Sequence, residues 1–296
     1  MMKVLIKRNV KLFFKDKGLF FTSLITPLIL LVLYATFLRE VYKDSFVSNL
    51  PEGVIIKDSL INGLVGGQLI SSILAVSCVT VSFCSNFLMV QDKSNKVIND
   101  LMITPVKRST LVISYYISTL ISTFIICFFA AFICLGYIMI TGWYLSFLDV
   151  ILLFIDIILL VLFGTALSSI INCFLSTQGQ ISAVGSIVSS CYGFICGAYM
   201  PISSFGKGLQ KIISFLPGTY GTSLVRNHSL NGVFEQMEKE GIPSLIVNEF
   251  RNITDCNVYF FDNRVEVGVM YLILGVTVTI LVSTYILINK YKKVRK

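Results

Sequence analysis

Long stretches without charge dominate the pattern of polar and apolar positions along the chain. No Asp, Glu, Lys or Arg occurs in residues 18–38, 59–91, 109–148, 157–206 or 267–289. A helix needs about 20 mostly apolar residues to cross the roughly 30 Å hydrocarbon core of a bilayer. In lipid, backbone polar groups must be satisfied within their own segment, so such stretches form helices. The pattern therefore predicts an all-α integral membrane protein.

We predict six transmembrane helices within a membrane domain of residues 19–289. They cover residues 19–38, 64–90, 110–140, 148–172, 181–199 and 267–289. The third is long enough to tilt or to extend past the bilayer. Only the short polar stretch 176–180 separates the fourth helix from the fifth.

The composition excludes several classes of protein. The 296 residues are 55% hydrophobic and only 14% charged, whereas soluble domains are about 25% charged. An ordinary soluble enzyme, a disordered tail and a disulfide-stapled secreted module are all inconsistent with this balance. We attribute the net charge of +8 to a membrane-surface bias and expect no binding to nucleic acid.

The distribution of charge predicts the orientation. Fifteen of the 24 Lys and Arg residues lie in residues 1–18, 91–109 and 290–296. Short cytoplasmic segments carry an excess of positive charge. We therefore place both termini, the 91–109 loop and the basic tail 290–296 in the cytoplasm. The apolar run near the N-terminus is too long for a cleaved signal peptide.

The first 18 residues form a predicted amphipathic helix at the inner membrane surface. Lys3, Lys7, Lys11 and Lys15 recur every four residues, which places them on one helix face. The opposite face carries Leu5, Ile6, Leu12 and Phe13. The lysines would face anionic headgroups. The alternative is a positively charged leader that only sets the topology.

The 91–109 loop contains a second short helix signal. Asp92 or Ser94 can cap a helix whose apolar residues are Val97, Ile98, Leu101 and Met102. Pro105 disfavours a helical Thr104, so the helix should end there. We predict a docking element that projects into the cytoplasm; the alternative is a plain loop.

The segment 200–266 lies on the outer side in this topology. An apolar stripe between Pro201 and Pro217 is too short to span a bilayer. It predicts a short re-entrant helix that dips into the outer leaflet. Residues 218–221, Gly-Thr-Tyr-Gly, are predicted to turn the chain, and residues 222–266 form a polar outer segment.

Residues with catalytic or metal-binding potential are sparse. Seven of the eight cysteines lie in or beside predicted spans, and no CxxC, HExxH or GxSxG motif occurs. The single histidine, His228, falls in the outer segment. We therefore predict no catalytic residue, no metal site and no bound cofactor, and we disfavour an intramembrane enzyme.

Polar residues inside the spans are the candidates for a transport path. Asp149 and Asp156 share one helix face, with Asp149 at the wet outer end. Asp156 would bind a cationic substrate or a proton, or it makes a hydrogen-bonded helix contact. Small and polar residues crowd the second and fifth spans and either pack the helices or line a path. The candidate pathway residues are Gln68, Ser72, Asp156, Ser186 and Ser190.

Together these features resemble the type-2 ABC transporter permease family. The resemblance covers essentially the whole chain: the basic N-terminal helix, six spans, the loop between spans two and three, and the Pro-Gly-Thr-Tyr stretch at 217–220. Thr104, Pro105 and Arg108 match the Thr-Pro-x-x-Arg end of the family's loop. The chain has Asn95 and Asn99-Asp100 where the family usually has Gly and Glu.

The resemblance implies a division of labour between subunits. Two permease chains, identical or different, would form the path, and separate ABC ATPase subunits would bind ATP and Mg²⁺. The chain has no phosphate loop of its own. Coupling to the ATPase would use Asp92, Lys93, Val97, Ile98, Asp100, Leu101, Met102, Thr104, Pro105 and Arg108.

The implied function is an exporter permease in a bacterial cell membrane. Mostly uncharged spans suit a hydrophobic or amphipathic cargo such as a drug, a peptide antibiotic or a lipid-like molecule. One alternative is export of a lipid-linked glycan. Another is a membrane sensor or immunity subunit that binds a peptide at residues 222–266 and transports nothing.

Overall fold

The computed structural model describes residues 1–48, 56–261 and 263–291, and it is 84% helical. The elements of the first half are α1 (Met2–Lys15), α2 (Lys17–Leu33), a π-helical stretch (Tyr34–Leu38), α3 (Arg39–Ser48), α4 (Asp58–Ser94), α5 (Val97–Ile103) and α6 (Arg108–Thr141). Those of the second half are α7 (Phe147–Phe174), α8 (Gln178–Ile195), a 3₁₀ turn (Ile202–Ser204), α9 (Lys207–Ser214), α10 (Pro217–Lys239), α11 (Ser244–Ile253), the strands β1 (Tyr259–Phe260) and β2 (Asn263–Arg264), and α12 (Val267–Tyr291). The chain is an all-α protein with one two-stranded antiparallel hairpin, β1–β2.

Five helices of the described residues are long and apolar enough to cross a membrane. They are Lys17–Asp44, Asp58–Ser94, Arg108–Thr141, Phe147–Phe174 and Val267–Lys290. Each overlaps a predicted span. The remaining predicted span, 181–199, corresponds to α8, which is about 27 Å long. Gln178, Gln180 and several serines lower its hydropathy, and it is not among the five.

The central element is α4, which is about 55 Å long and buried over nearly its whole length. It packs against α2, α6, α7, α8 and α10. Small residues allow these close approaches. A Cβ on Gly164 of α7 would lie 3.0 Å from the carbonyl oxygen of Cys78 in α4. The bundle is therefore built around α4, with α7 in direct backbone contact.

The amphipathic character of α1 is present, and its buried face is more polar than expected. Leu5, Asn9 and Phe13 form the buried stripe, four residues apart. All four lysines at positions 3, 7, 11 and 15 are exposed. The helix lies against α6. Asp16 then ends α1 and caps α2 by accepting a hydrogen bond from the backbone N–H of Leu19 at 3.1 Å.

The largest departure from the sequence prediction is α10. The predicted turn at residues 218–221 is wrong: these residues form the first turn of a 23-residue helix that begins at Pro217, where a proline is well tolerated. This helix is buried among α4, α7 and α12. His228 accordingly lies in a buried helix rather than in an outer loop.

Glycines explain why a polar sequence forms this buried helix. A Cβ on Gly221 would come within 2.4 Å of Leu160, and one on Gly232 within 1.9 Å of the Tyr144 carbonyl oxygen. These glycines thus permit close helix packing rather than a turn. The helix ends beside the start of α4, where Lys57 Nζ lies 3.0 Å from Glu240 Oε1.

The stripe between Pro201 and Pro217 forms only a short helix, α9, preceded by the 3₁₀ turn. Ile213 is buried. Leu209, Ile212 and Phe215 are exposed, which leaves an apolar face uncovered.

The two ends of the bundle are distinct. One carries α5, and the other carries α9, α10's C-terminus, α11 and the hairpin.

Enlarging Gly232 should destabilise the fold. In Gly232→Ala the new methyl group meets a backbone carbonyl that cannot rotate away. We therefore expect the free energy of unfolding to fall by about 1–3 kcal/mol. Thermal unfolding of the detergent-purified protein measures this. Gly136→Ala is the matched control, because nothing lies within 4 Å of its Cβ position. Equal unfolding temperatures for both variants would contradict the proposed packing.

Candidate functional site

The short helix α5 lies at one end of the bundle, between α4 and α6. Lys96 precedes it in the left-handed conformation (φ 62°), and Thr104 follows it in an extended conformation (ψ 157°). The break before Pro105 is thus where the sequence predicted it. Neither Asp92 nor Ser94 caps the helix, because Ser94 Oγ donates to the Gln91 carbonyl at 3.0 Å and no side chain caps its start.

The apolar residues of α5 divide between two roles. Ile98 and Leu101 pack on a cluster formed by Leu5, Met89, Leu111, Tyr115, Cys173 and Tyr285. Met102 is 39% exposed and Ile103 is 85% exposed. Ile98 and Leu101 therefore hold α5 to the bundle, whereas Met102 and Ile103 are available to another molecule. Sequence reasoning missed Ile103, although it is the next apolar residue before the proline break.

The polar residues of α5 and of the segment after it lie on the accessible side. Asp100, Thr104 and Pro105 are exposed, and Val97 and Arg108 are partly exposed. Thr104 Oγ1 donates to the Leu101 carbonyl at 2.5 Å. We call the exposed residues of this region the α5 surface: Asp100, Met102, Ile103, Thr104 and Pro105.

Asp92 and Lys93 are not part of the α5 surface. Arg8 Nη1 donates to Asp92 Oδ2 at 2.9 Å, and the Tyr115 hydroxyl donates to the same oxygen. Lys93 Nζ donates to the carbonyls of Asn172 and Cys173 at 2.8 and 3.2 Å. These carbonyls end α7, where a cation is favourable. Both residues thus bind α4 to α1, α6 and α7, and their role in coupling to an ATPase stays a prediction.

The candidate pathway residues do not come together in one protomer. Gln68 and Ser72 are buried in α4, and Ser72 Oγ accepts a hydrogen bond from Arg226 Nη2 at 3.3 Å. Ser186 and Ser190 are exposed on α8. They share that face with Ser182, four residues earlier. We call this the α8 face: Ser182, Ser186 and Ser190.

Asp156 makes a buried contact between three helices. Its Oδ2 lies 2.6 Å from His228 Nδ1 of α10, and its Oδ1 accepts a hydrogen bond from the Tyr271 hydroxyl of α12. The sequence predicts for Asp156 either a binding site for a cation or a proton or a hydrogen-bonded contact between helices. The geometry favours the contact between helices. Asp149 is only 3% exposed rather than wet. It forms a capping box with Ser146 and accepts from Asn231 at 3.2 Å.

A buried ion pair that the sequence did not suggest joins α10 to the loop after α11. Arg226 Nη1 donates to Asp255 Oδ2 at 2.9 Å, and Arg226 Nη2 donates to the Gly197 carbonyl at 2.6 Å. Asp255 also accepts from the Ile202 backbone N–H at 2.9 Å. Burial raises the pKa of Asp255 to about 6, against the lowering effect of Arg226. The pair ties three segments that are distant in sequence.

Nothing in the described residues forms a metal centre, since no group of three or more His, Cys, Asp or Glu side chains is placed to hold an ion. The described cysteines are all free thiols.

A protein-family model matches most of the chain. The model of the family described as "ABC-2 type transporter" matches residues 2–228. This range includes α1 to α9 and reaches into α10. No match was found among curated proteins or among solved structures.

Removing Arg226 alone should lower the free energy of unfolding more than neutralising both members of its ion pair. Arg226→Met leaves the Asp255 carboxylate buried without a counter-charge, for which we expect a loss of about 3–5 kcal/mol. Arg226→Met combined with Asp255→Asn should recover part of that loss. A double-mutant cycle of unfolding free energies in detergent measures the coupling. Additive losses would show that the two side chains do not interact.

Proposed function

The chain belongs to the ABC-2 type transporter family, and we propose that it is the permease subunit of an ATP-driven exporter in a bacterial cell membrane. The family match supports a membrane-spanning permease subunit, and the helices long enough to span a bilayer agree with it. We further propose that a hydrophobic or amphipathic compound is moved outward. ATP and Mg²⁺ would bind to separate ABC ATPase subunits.

The observation that carries this proposal is the α5 surface. Met102 and Ile103 are neighbouring exposed apolar side chains at one end of the bundle, and contiguous exposed apolar surface marks a site of contact with another protein. We propose that the ATPase subunit contacts Met102, Ile103, Thr104 and Pro105, with Asp100 and Arg108 at the edge of the contact. Val97, Ile98 and Leu101 would keep the helix seated.

The anchors of α5 supply a route for mechanical coupling. Ile98 and Leu101 pack against a cluster whose members come from α1, α4, α6, α7 and α12. The Arg8–Asp92 ion pair and the Lys93 contacts join α4 to α1 and α7. A displacement of α5 would therefore move several helices together, as in a rigid-body transition.

The α8 face supports a second permease chain. Its small residues recur at four-residue spacing, which permits close helix association in a membrane. In the described structure α8 packs chiefly on α4, so this face is left open within one protomer. We propose that two chains, identical or different, meet near the α8 face and form the path there.

The cargo proposal follows from the absence of charge on that face. Ser182, Ser186 and Ser190 offer hydroxyl groups, and Ile187 and Phe194 nearby are exposed and apolar. Such a lining suits an uncharged or amphipathic compound. A lipid-linked glycan is the second candidate cargo, and a sensor or immunity subunit without transport is the alternative function.

The orientation that we propose places α5 and both termini in the cytoplasm. The exposed lysines of α1, at positions 3, 7, 11 and 15, would then lie against anionic headgroups of the inner leaflet. The basic tail has the same sign, although residues 292–296 lie outside the described part of the chain.

Placing a charge on the α5 surface should uncouple the ATPase without unfolding the permease. We expect Ile103→Asp to reduce co-purification of the ATPase at least about tenfold, because a carboxylate would have to be desolvated in an apolar contact. Affinity purification of the tagged complex measures this. Leu245→Asp is the control, an exposed leucine of α11 at the other end. Undiminished binding of the ATPase to Ile103→Asp would refute the proposal.

A cysteine on the α8 face should cross-link two permease chains. In a Cys191→Ser background, oxidation of Ser186→Cys in membranes should give a covalent dimer, because the two faces meet. Val276→Cys is the control, an exposed position of α12. Non-reducing gel electrophoresis detects the product. Dimer formation by Val276→Cys alone would place the interface elsewhere.

A further inference from the structure

A cavity of about 620 Å³ lies at the end of the molecule opposite α5. Its walls come from the 3₁₀ turn, α9, the start of α10 and the segment that links α11 to β1. Its rim is exposed and includes Lys207, Lys211, Tyr259 and Phe261, and its floor is buried. None of these residues belongs to the α5 surface or to the α8 face.

The floor and walls of the cavity carry accessible polar side chains. Ser203 and Asn252 line the cavity and are exposed, and Gln210 is partly exposed. Asn257 Nδ2 donates to Asn252 Oδ1 at 2.7 Å, which orients the Asn252 amide. Hydroxyl and amide side chains both donate and accept hydrogen bonds. The lining therefore suits a ligand that carries hydroxyl groups.

The rim favours negative charge. Lys207 and Lys211 are one helical turn apart on α9 and line the same wall. The carboxylate in the floor, Asp255, is held by Arg226 and by the Ile202 N–H, so its charge is largely compensated. Lys211 Nζ also lies 5.9 Å from the centre of the Phe261 ring. A cationic wall above a neutral, hydrogen-bonding floor suits a hydroxylated anion.

The surroundings indicate that this anion is attached to an apolar chain. The part of α9 that turns away from the cavity exposes Leu209 and Ile212, and Phe215 follows. Phe215 packs edge-to-face on Phe260 and Phe261. An exposed apolar helix face beside lysines is typical of an element that lies in a membrane interface. The cavity is then open at the depth of lipid headgroups.

We propose that this cavity binds the hydroxylated anionic headgroup of an amphiphile in the membrane leaflet next to α9. Lys207 and Lys211 contact the phosphate or carboxylate, and Ser203 and Asn252 form hydrogen bonds with the headgroup hydroxyls. The apolar chains lie along Leu209 and Ile212. This binding does not depend on the proposed export activity or on the ATPase.

A photo-crosslinker in the rim tests the site on the full chain in nanodiscs. Tyr259 is replaced by p-benzoylphenylalanine, and irradiation is carried out with phosphatidylglycerol or with phosphatidylcholine as the lipid. Mass spectrometry measures the lipid adduct on the peptide that contains residue 259. We expect a phosphatidylglycerol adduct several-fold more abundant than the phosphatidylcholine adduct, because only phosphatidylglycerol combines net negative charge with free hydroxyls.

Charge removal at the rim is the decisive comparison. Lys207→Gln combined with Lys211→Gln should lower the phosphatidylglycerol adduct about tenfold and leave the phosphatidylcholine adduct unchanged. Lys239→Gln removes an exposed charge at the same end but outside the cavity, and it should have no effect. Equal adducts for the two lipids, or an unchanged phosphatidylglycerol adduct in the double variant, would overturn the proposal.

Free glycerol phosphate distinguishes the source of the headgroup. Competition at millimolar concentration would support the site and show that the headgroup alone suffices, as for a soluble polyol phosphate. Failure to compete, with the lysine dependence retained, would support a membrane lipid. Ser203→Ala is a second variant: it removes an exposed hydroxyl that lines the cavity, so we expect it to reduce phosphatidylglycerol binding while the thermal stability matches that of the parent.

Discussion

A charged group inside a membrane protein must have a partner, and this constraint organises the fold. The described residues bury four carboxylates, and each has a hydrogen-bond donor or a cation beside it. Asp92 joins α4 to α1 and α6, Asp156 lies beside His228 of α10 and Tyr271 of α12, and Asp255 holds Arg226. Because an unpaired charge would be costly, the pairs fix which helices are neighbours, and the small residues of α4 and α10 set how close they come.

The two ends of the bundle differ for the same reason. At one end the Arg8–Asp92 pair and the Lys93 contacts hold α4 to α1 and α7. The short helix α5 follows α4 there, with Met102 and Ile103 exposed. At the other end the Arg226–Asp255 pair closes α10 against the loop after α11, beside the cavity under α9. We propose that the first end receives energy from the ATPase and that the second end faces the outer leaflet.

The sequence predicted the helices that follow from hydropathy and missed the one that does not. Residues 64–90, 110–140 and 267–289 are mostly apolar and free of charged residues, and they lie within helices. The helix α10 has no apolar period in its sequence. It is buried instead through close packing at Gly221 and Gly232 and through the Arg226–Asp255 ion pair. The break at Thr104 follows from Pro105 alone and was predictable. The pairing of Arg8 with Asp92 joins residues 84 positions apart, which no local pattern reveals.

The most direct test of the proposed arrangement is the accessibility of the two ends in intact cells. Lys96 precedes α5 and Lys239 ends α10, and both are exposed. In a Cys191→Ser background, single Lys96→Cys and Lys239→Cys variants are treated with a membrane-impermeant maleimide before and after lysis. We expect labelling of position 239 on intact cells and of position 96 only after lysis. Labelling of position 96 on intact cells would place α5 outside, away from any source of ATP, and contradict the proposed orientation.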